Sequence, residues 1–218
     1  MITITTVCKT STVYKPFWVD KMKRALEKHL SIPFQFVPLT DSDHDYPSHK
    51  LEYDNPGYWN KIELFKPGLY EGPTLFIDLD NVITGDLASM INAVQGRGFS
   101  MWRGRVTEKS PVALASSTLM YWDKRPESVW MEWNTVNNKG HWYKKYKHGR
   151  QGDQAFIRDN AEYNFIQNWY IDAEQQIVSI KDKESINLYP DHIMVIFSGS
   201  KNPQNCYFPS IKSNWHNV

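Results

Sequence analysis

The stretch that most constrains the fold is a short apolar run that ends in two carboxylates. Residues 75–77 are Leu, Phe and Ile, and Asp78 and Asp80 follow them directly. In a strand, residues two apart point to the same side, so the pattern predicts that both aspartates share a face with Leu79 opposite. Two ionised carboxylates placed so close repel each other unless a cation lies between them. The run therefore predicts a buried strand that leads into a cation site.

The chemistry of the pair favours a divalent metal. Mg²⁺ and Mn²⁺ prefer carboxylate oxygens, and Mg²⁺ commonly takes one or two carboxylates and completes its shell with water and phosphate. In open α/β sheets, ligands bind beyond the carboxyl ends of the strands, which is where Asp78 and Asp80 are expected. An isolated pair of this kind can also end a strand and face water. The buried run before it favours a metal–diphosphate site.

Strand and helix patterns alternate through the first half of the chain. Residues 2–8 and 33–41 read as strands, residues 16–30 and 86–94 as helices, and the run at 75–77 as a third strand. This alternation predicts a mostly parallel sheet with helices on both faces. The second half mixes strand and helix patterns, so the expectation for the whole is an α/β fold.

Length and composition narrow the class of protein. The chain has 218 residues, enough for one domain over residues 1–218. The net charge of +1 gives no reason to expect nucleic-acid binding. Cys8 and Cys206 form no metal-binding or disulfide pattern, and no secretion signal or apolar run of roughly 18 residues is found. We therefore expect a cytoplasmic protein without a transmembrane segment.

Two enzyme classes use a D-x-D pair of this kind. The segment "DLDNVITGD" resembles the loop of haloacid-dehalogenase hydrolases, in which Asp78 would be a nucleophile and Asp80 an acid/base. That loop normally follows the first strand of its domain, and here the pair follows the third. A downstream acidic pair for the metal is also not evident. The other class is the nucleotide-sugar transferases, in which the pair binds the metal on the sugar-nucleotide diphosphate.

Neighbouring motifs favour the transferase. The segment "YWNKIELF" before "LFIDLDNVITGDL" resembles GT-A glycosyltransferases related to glycosyltransferase family 8. Stretches resembling further motifs of that family follow the same order, at residues 7–14, 115–124, 151–157 and 177–203. The resemblance implies a GT-A-like, Rossmann-type mixed, mostly parallel sheet flanked by helices. It also implies a nucleotide-binding half at about 1–95 and an acceptor-binding, completing half at about 96–218.

The resemblance also implies roles for individual residues. Asp78 and Asp80 would hold Mn²⁺ or Mg²⁺, with Asp80 the more direct ligand. Contacts to the nucleotide-sugar donor, which by family habit is a UDP-sugar, are implied for Val7, Lys9, Tyr14, Lys61, Leu79, Lys181, Gly199 and Lys201. Asp153 and Gln154 would lie near the transferred sugar or its acceptor, an unknown glycan, lipid or protein. Asp153 could there orient hydroxyls, act as a general base or stabilise the sugar cation, or it could cap a helix.

One departure from the family pattern bears on activity. The family usually places a histidine as third metal ligand just before a glycine, and here Ser198 precedes Gly199. Asn202 also separates Lys201 from Pro203. A sugar-nucleotide-binding protein that has lost turnover is therefore a third possibility beside the transferase and the hydrolase.

Overall fold

The computed structural model describes residues 1–104, 114–147, 152–180, 189–197, 202–205 and 209–216. The strands are β1 (Ile2–Thr5), β2 (Val7–Cys8), β3 (Phe34–Phe36), β4 (Leu39–Thr40), β5 (His49–Lys50), β6 (Thr74–Ile77), β7 (Val82–Ile83), β8 (Ser100–Arg103), β9 (Ala115–Trp122), β10 (Asn164–Phe165), β11 (Ile177–Ile180) and β12 (Met194–Phe197). The α-helices are α1 (Pro16–His29), α2 (Ala88–Val94), α3 (Glu127–Trp133), α4 (Gly140–Lys145), α5 (Asp153–Asp159), α6 (Ala173–Gln176) and α7 (Pro209–His216). Short 3-10 helices span Gly57–Phe65, Ile166–Asn168 and Pro203–Asn205.

A six-stranded sheet forms the centre of the molecule. Its strand order is β10-β8-β9-β6-β1-β3, and β9 runs antiparallel to both of its neighbours while the other pairings are parallel. Two smaller sheets join β11, β12 and β7, and β2, β4 and β5. The predicted mixed, mostly parallel α/β sheet with flanking helices is thus confirmed.

Alternate residues of the sheet pack into two hydrophobic clusters. In β6, the side chains of Leu75 and Ile77 join a cluster that includes Trp18 of α1, whereas Phe76 joins another that includes Trp59. The period-2 alternation of a strand sends neighbouring side chains to opposite faces. Both faces of the sheet are therefore covered, as parallel strands require.

The two aspartates lie just outside the strand that was predicted to carry them. β6 ends at Ile77, and the Asn81 N–H donates to the Asp78 carbonyl at 3.0 Å to close a turn. The Asp78 N–H still donates to the Thr118 carbonyl of β9 at 2.9 Å. The expectation of an extended pair was therefore wrong, because the chain leaves the sheet at this point and β7 pairs with β12 instead.

The helices are short compared with the thickness of a bilayer. The longest described, α1, has 14 residues and begins with Pro16 in its first turn, a position where proline is well tolerated. Within the described ranges, no helix has the length and apolar character that a membrane crossing requires.

Candidate functional site

A cavity of about 630 Å³ opens where β2 and β6 end. One wall is the loop after β2, and the other is formed by residues 54–61. The lining residues are Val7, Lys9, Ser11, Thr12, Val13, Tyr14, Asp54, Asn55, Pro56, Gly57, Tyr58, Asn60, Lys61 and Asp78. The cavity thus lies at the carboxyl ends of strands, the usual place for ligands in open α/β folds.

A buried cluster of one cation and two carboxylates forms the floor of this region. The Lys61 Nζ lies 2.5 Å from Asp78 Oδ2 and 3.6 Å from Asp153 Oδ2. It also lies 3.4 Å from Ser117 Oγ, which donates a hydrogen bond to Asp153 Oδ2 at 2.9 Å. Lys61, Asp78 and Asp153 are 9%, 8% and 3% exposed. Lys61 therefore links Asp78, in residues 1–95, to Asp153, in residues 96–218, by electrostatic attraction.

The electrostatics of the cluster follow from burial and from this pairing. Burial acts to lower the pKa of Lys61, but the carboxylates of Asp78 and Asp153 outweigh it and raise the pKa overall. Burial raises the pKa of both Asp78 and Asp153, and Lys61 opposes the rise in each case. The lysine thus stays protonated and favours the ionised form of each carboxyl group.

Within the described ranges, Asp80 is the carboxylate of this region that forms no ion pair with Lys61. Burial and the nearby Asp78 raise its pKa to about 7, while Lys61 and a hydrogen bond with Tyr14 oppose the rise. Among the described residues, the Asp80 Oδ1 atom has no hydrogen-bond partner although it is buried. A buried carboxylate oxygen beside a second carboxylate suits a divalent cation, which removes the repulsion between them.

Two carboxylates, Asp78 and Asp80, are the candidate ligands for a cation. In the part of the chain that the structure describes, no group of three or more His, Cys, Asp or Glu side chains converges on one point. Ser198, at the position where the family carries a histidine, lies outside the described residues. Two carboxylates are nevertheless a sufficient protein contribution for a metal that also binds phosphate and water.

Asp153, a member of the buried cluster, and Gln154 are the first two residues of α5. Gly152, not Asp153, is the N-cap of this helix, so Asp153 does not have the capping role considered for it. The Gln154 Oε1 accepts hydrogen bonds from Ser116 Oγ at 2.7 Å and from the Ser117 N–H at 3.2 Å. Both side chains at the start of α5 are thus oriented by β9.

Gly152 allows this helix to approach the cavity wall. Its φ is +53°, a conformation that L-residues rarely adopt. A Cβ on Gly152 would lie 2.2 Å from Cε2 of Tyr58, a cavity-lining residue that is 55% exposed. The backbone therefore favours a glycine at this position, and any side chain there would also require the Tyr58 ring to move.

The predicted contact residues fall into three groups. The side chains that line the cavity are those of Val7, Lys9, Tyr14, Lys61 and Asp78. Leu79 is fully buried in a hydrophobic cluster, so only its backbone remains for ligand contact. Lys181, Gly199 and Lys201 lie outside the described residues.

Several residues of the cavity were not singled out from the sequence. The Lys9 Nζ forms an ion pair with Asp54 and donates to the Asn55 carbonyl at 3.1 Å. Asn60 also lines the cavity. Ser117 belongs to the buried cluster instead, where its Oγ donates to Asp153 Oδ2. Two features of the sequence could have indicated these residues. One is the polar character of the long connection at 41–58, and the other is the position of Asn60 between Trp59 and Lys61 in the segment "YWNKIELF".

Comparison with known proteins identifies the fold. No known family profile and no curated protein matches the sequence. The galactosyltransferase LgtC, in complex with donor and acceptor sugar analogues, is similar with a TM-score of 0.63 at 10% identity, over 99% of this chain and 96% of LgtC. The glycosyltransferase GlyE of Streptococcus pneumoniae TIGR4 gives 0.62 at 13% identity, over 98% of this chain and 59% of GlyE.

The bifunctional glycosyltransferase WbbM gives a TM-score of 0.62 at 10% identity. All of this chain matches 50% of WbbM, so the chain spans about half of WbbM and about three fifths of GlyE. At these identities the likeness concerns the fold. The chain has the mixed α/β fold of GT-A glycosyltransferases.

Proposed function

We propose that this protein is a metal-dependent glycosyltransferase related to glycosyltransferase family 8. It would transfer a hexosyl group from a nucleotide-diphosphate sugar, a UDP-sugar, to a glycan, lipid or protein acceptor. The observation that carries the proposal is the buried cluster of Lys61, Asp78 and Asp153 beside Asp80, at the end of a cavity in a GT-A fold.

The residues present fit a divalent cation, Mn²⁺ or Mg²⁺. Asp80 offers a buried carboxylate oxygen with no partner among the described residues, and Asp78 lies beside it with one oxygen bound to Lys61. Asp80 would therefore be the principal ligand and Asp78 the second. When bound, such a cation neutralises charge that develops on the departing diphosphate.

The remaining roles belong to side chains of the chain itself. Lys61 fixes the orientation of Asp78 and favours its ionised form, against the effect of burial on its pKa. Asp153, held by Ser117 and facing Lys61, would orient hydroxyl groups of the transferred sugar, with Gln154 beside it. Tyr14, Val7 and Lys9 would contact the nucleoside, and Lys181, Gly199 and Lys201 the diphosphate.

A thermal-shift panel with nucleotides tests the binding part of the proposal. UDP and UDP-sugars are measured with Mn²⁺ and with EDTA, on the wild type, on Asp80→Asn and on the control Asp172→Asn, which alters an exposed aspartate. We expect stabilisation by UDP only with the metal, about 2.7 kcal/mol at a hundredfold excess over Kd. The shift should be lost in Asp80→Asn and kept in Asp172→Asn. If no nucleotide stabilises the protein, the proposal is wrong.

A second assay separates turnover from binding and from hydrolysis of phosphate esters. Release of UDP from UDP-glucose, with sugar transfer or slow donor hydrolysis, supports the transferase. Metal-dependent UDP binding without any release identifies a sugar-nucleotide-binding protein that has lost turnover. Phosphate release from p-nitrophenyl phosphate, together with trapping of Asp78 by fluoroberyllate, would instead identify a phosphohydrolase, which the fold comparisons do not favour.

A further inference from the structure

Two asparagines in the cavity wall carry buried polar atoms that the protein leaves unsatisfied. Asn55 and Asn60 are 4% and 1% exposed, and both line the cavity. Among the described residues, Asn55 Nδ2 and Asn60 Oδ1 have no hydrogen-bond partner. Buried polar atoms without a partner destabilise a fold, so each of them requires an explanation.

The orientation of the Asn60 amide is fixed by the backbone. Its Nδ2 donates to the Asn55 carbonyl at 3.1 Å and to the Gly57 carbonyl at 2.6 Å. Carbonyl oxygens only accept hydrogen bonds, so the amide cannot be rotated to exchange its nitrogen and oxygen without losing both bonds. The Asn60 amide therefore has a fixed orientation, and its Oδ1 is the unpaired acceptor of a residue that lines the cavity.

Asn55 supplies the matching donor. Its Oδ1 accepts a hydrogen bond from the Tyr143 hydroxyl at 2.9 Å, which leaves Nδ2 as the unpaired atom within the described structure. Its backbone carbonyl accepts from the Lys9 Nζ at 3.1 Å, so Asn55 lies beside the loop that follows β2. Tyr143 is a positioning residue for this amide, contributed by α4.

The chemistry of the pair indicates which part of a ligand lies against it. Ionised phosphate oxygens accept hydrogen bonds but have no proton to donate to Asn60 Oδ1. Lys61 and Asp78, at the predicted metal–diphosphate end, are tied to each other. A neutral group that carries an N–H or O–H next to an acceptor oxygen satisfies both amides. Nucleobases and the hydroxyls of ribose or of a hexose have this property, and diphosphate does not. The Asn55 carbonyl accepts from Lys9, a residue assigned to the nucleoside, and this position favours the nucleoside over the transferred sugar.

We propose that Asn55 and Asn60 form a specificity subsite for the nucleoside of the donor. Asn60 Oδ1 accepts a hydrogen bond from the nucleoside, and Asn55 Nδ2 donates one to it. The inference rests on the proposed function, because it takes the ligand to be a nucleoside diphosphate. The source of the contact is either the base, through a C=O next to an N–H, or the ribose hydroxyls.

An isosteric double variant tests the subsite without leaving a new unsatisfied group. Asn55→Leu with Tyr143→Phe removes both partners of one hydrogen bond, so the melting temperature should stay equal or rise. By titration calorimetry with Mn²⁺, UDP should bind about tenfold more weakly, the scale of one neutral hydrogen bond. Inorganic pyrophosphate, which lacks a nucleoside, should bind with unchanged affinity. The control Asn164→Leu alters an exposed asparagine and should change neither.

A second ligand separates the two sources of the contact. If the amides contact the base, the double variant should lose affinity for 2′-deoxy-UDP and for UDP equally. If the amides contact the 2′-hydroxyl, 2′-deoxy-UDP should already bind the wild type weakly, and the double variant should not lower that affinity further. Should the double variant fail to fold, Asn55→Asp keeps the acceptor for Tyr143 and replaces only the free donor. It should lose more affinity for UDP than for pyrophosphate, because the new negative charge opposes both ligands and only UDP also loses the hydrogen bond.

Three results would overturn the inference. Unchanged UDP affinity in a folded double variant shows that the amides do not contact the nucleoside. Equal losses for UDP and pyrophosphate show general damage to the cavity. If neither UDP nor pyrophosphate binds the wild type, both the inference and the proposed function are wrong. Normal UDP binding in the variants, by contrast, leaves the proposed function intact.

Discussion

Lys61 is the residue on which the buried charges of the site depend. It is the cation shared by Asp78 and Asp153, and its replacement by methionine leaves two buried carboxylates without a counter-charge. Breaking a buried ion pair on one side typically costs about 3–5 kcal/mol. We therefore expect Lys61→Met to lower the free energy of unfolding by about that amount in urea denaturation.

A surface lysine provides the matched control for this prediction. Lys50 forms an ion pair with Asp43, and both side chains are exposed. Exposed pairs contribute about 0–1 kcal/mol, so Lys50→Met should be nearly neutral. Equal losses in the two variants would show that Lys61 contributes no more than a surface charge.

Gly152 is the backbone position where a side chain is least tolerated near the site. The left-handed φ of +53° costs a non-glycine residue about 1–3 kcal/mol. The Cβ of Gly152→Ala would also meet the far end of the Tyr58 ring at 2.2 Å. We expect the loss in free energy of unfolding to exceed that of Gly98→Ala, which has φ of +77° and nothing within 4 Å of its Cβ.

The contribution of the ring is measured by a double-mutant cycle. The contact involves only the end of a half-exposed side chain. Adding Tyr58→Ala to Gly152→Ala should therefore restore only the part of the lost free energy of unfolding that exceeds the loss in Gly98→Ala. The backbone strain should remain. If Gly152→Ala is no worse than Gly98→Ala, the ring does not pack against Gly152.

At the scale of elements, α7 stabilises the fold by covering α1. Trp215 packs edge-on against Trp18 with ring centroids 4.9 Å apart, and its carbonyl accepts from the Lys21 Nζ at 2.7 Å. Truncation of a buried tryptophan costs about 3–5 kcal/mol. We expect Trp215→Ala to lose about that much stability in thermal or urea unfolding.

The same variant should leave the cavity intact. The described residues that line the cavity lie outside α7, so the stabilisation of Trp215→Ala by UDP and Mn²⁺ should equal that of the wild type. Trp130, which is half-buried on α3, gives a control with a smaller expected loss on truncation. A Trp215→Ala protein as stable as Trp130→Ala would show that α7 does not dock on α1.

The local patterns predicted elements better than they predicted their pairing. The helix expected at 16–30 is Pro16–His29, because its apolar spacing and first-turn proline are local signals. The strand expected over 33–41 is interrupted before Leu39 and contributes to two different sheets. The antiparallel direction of β9 depends on contacts distant in sequence and has no local signal.

The residues of the candidate site could be selected one by one from the sequence, but their contacts with each other could not be predicted. Asp78, Asp80, Lys61 and Asp153 each had a chemical or family reason to be selected. The sequence assigned Lys61 to the nucleotide-sugar donor, whereas the fold pairs it with Asp78 and brings Asp153 close. That contact arises because α5 packs against the helix Gly57–Phe65 and against β9, a tertiary arrangement that spacing along the chain does not encode.

At the scale of the whole molecule, the two proposed halves share one sheet. β6 of residues 1–95 pairs with β9 of residues 96–218, with Ile77 opposite Leu119, and β7 pairs with β12. A single cooperative unit is therefore the expected behaviour of residues 1–218. In urea, the transitions followed by tryptophan fluorescence and by far-UV circular dichroism should coincide.

A fragment of residues 1–95 tests whether the first half can fold without the second. Without β9, the strand β6 loses one of its two neighbours, and the buried cluster around Phe76 loses its partners Met120 and Trp122. The fragment should therefore show no cooperative unfolding transition. A folded fragment, or two separate transitions in the full chain, would show that the halves are independent domains and that the cavity belongs to the first alone.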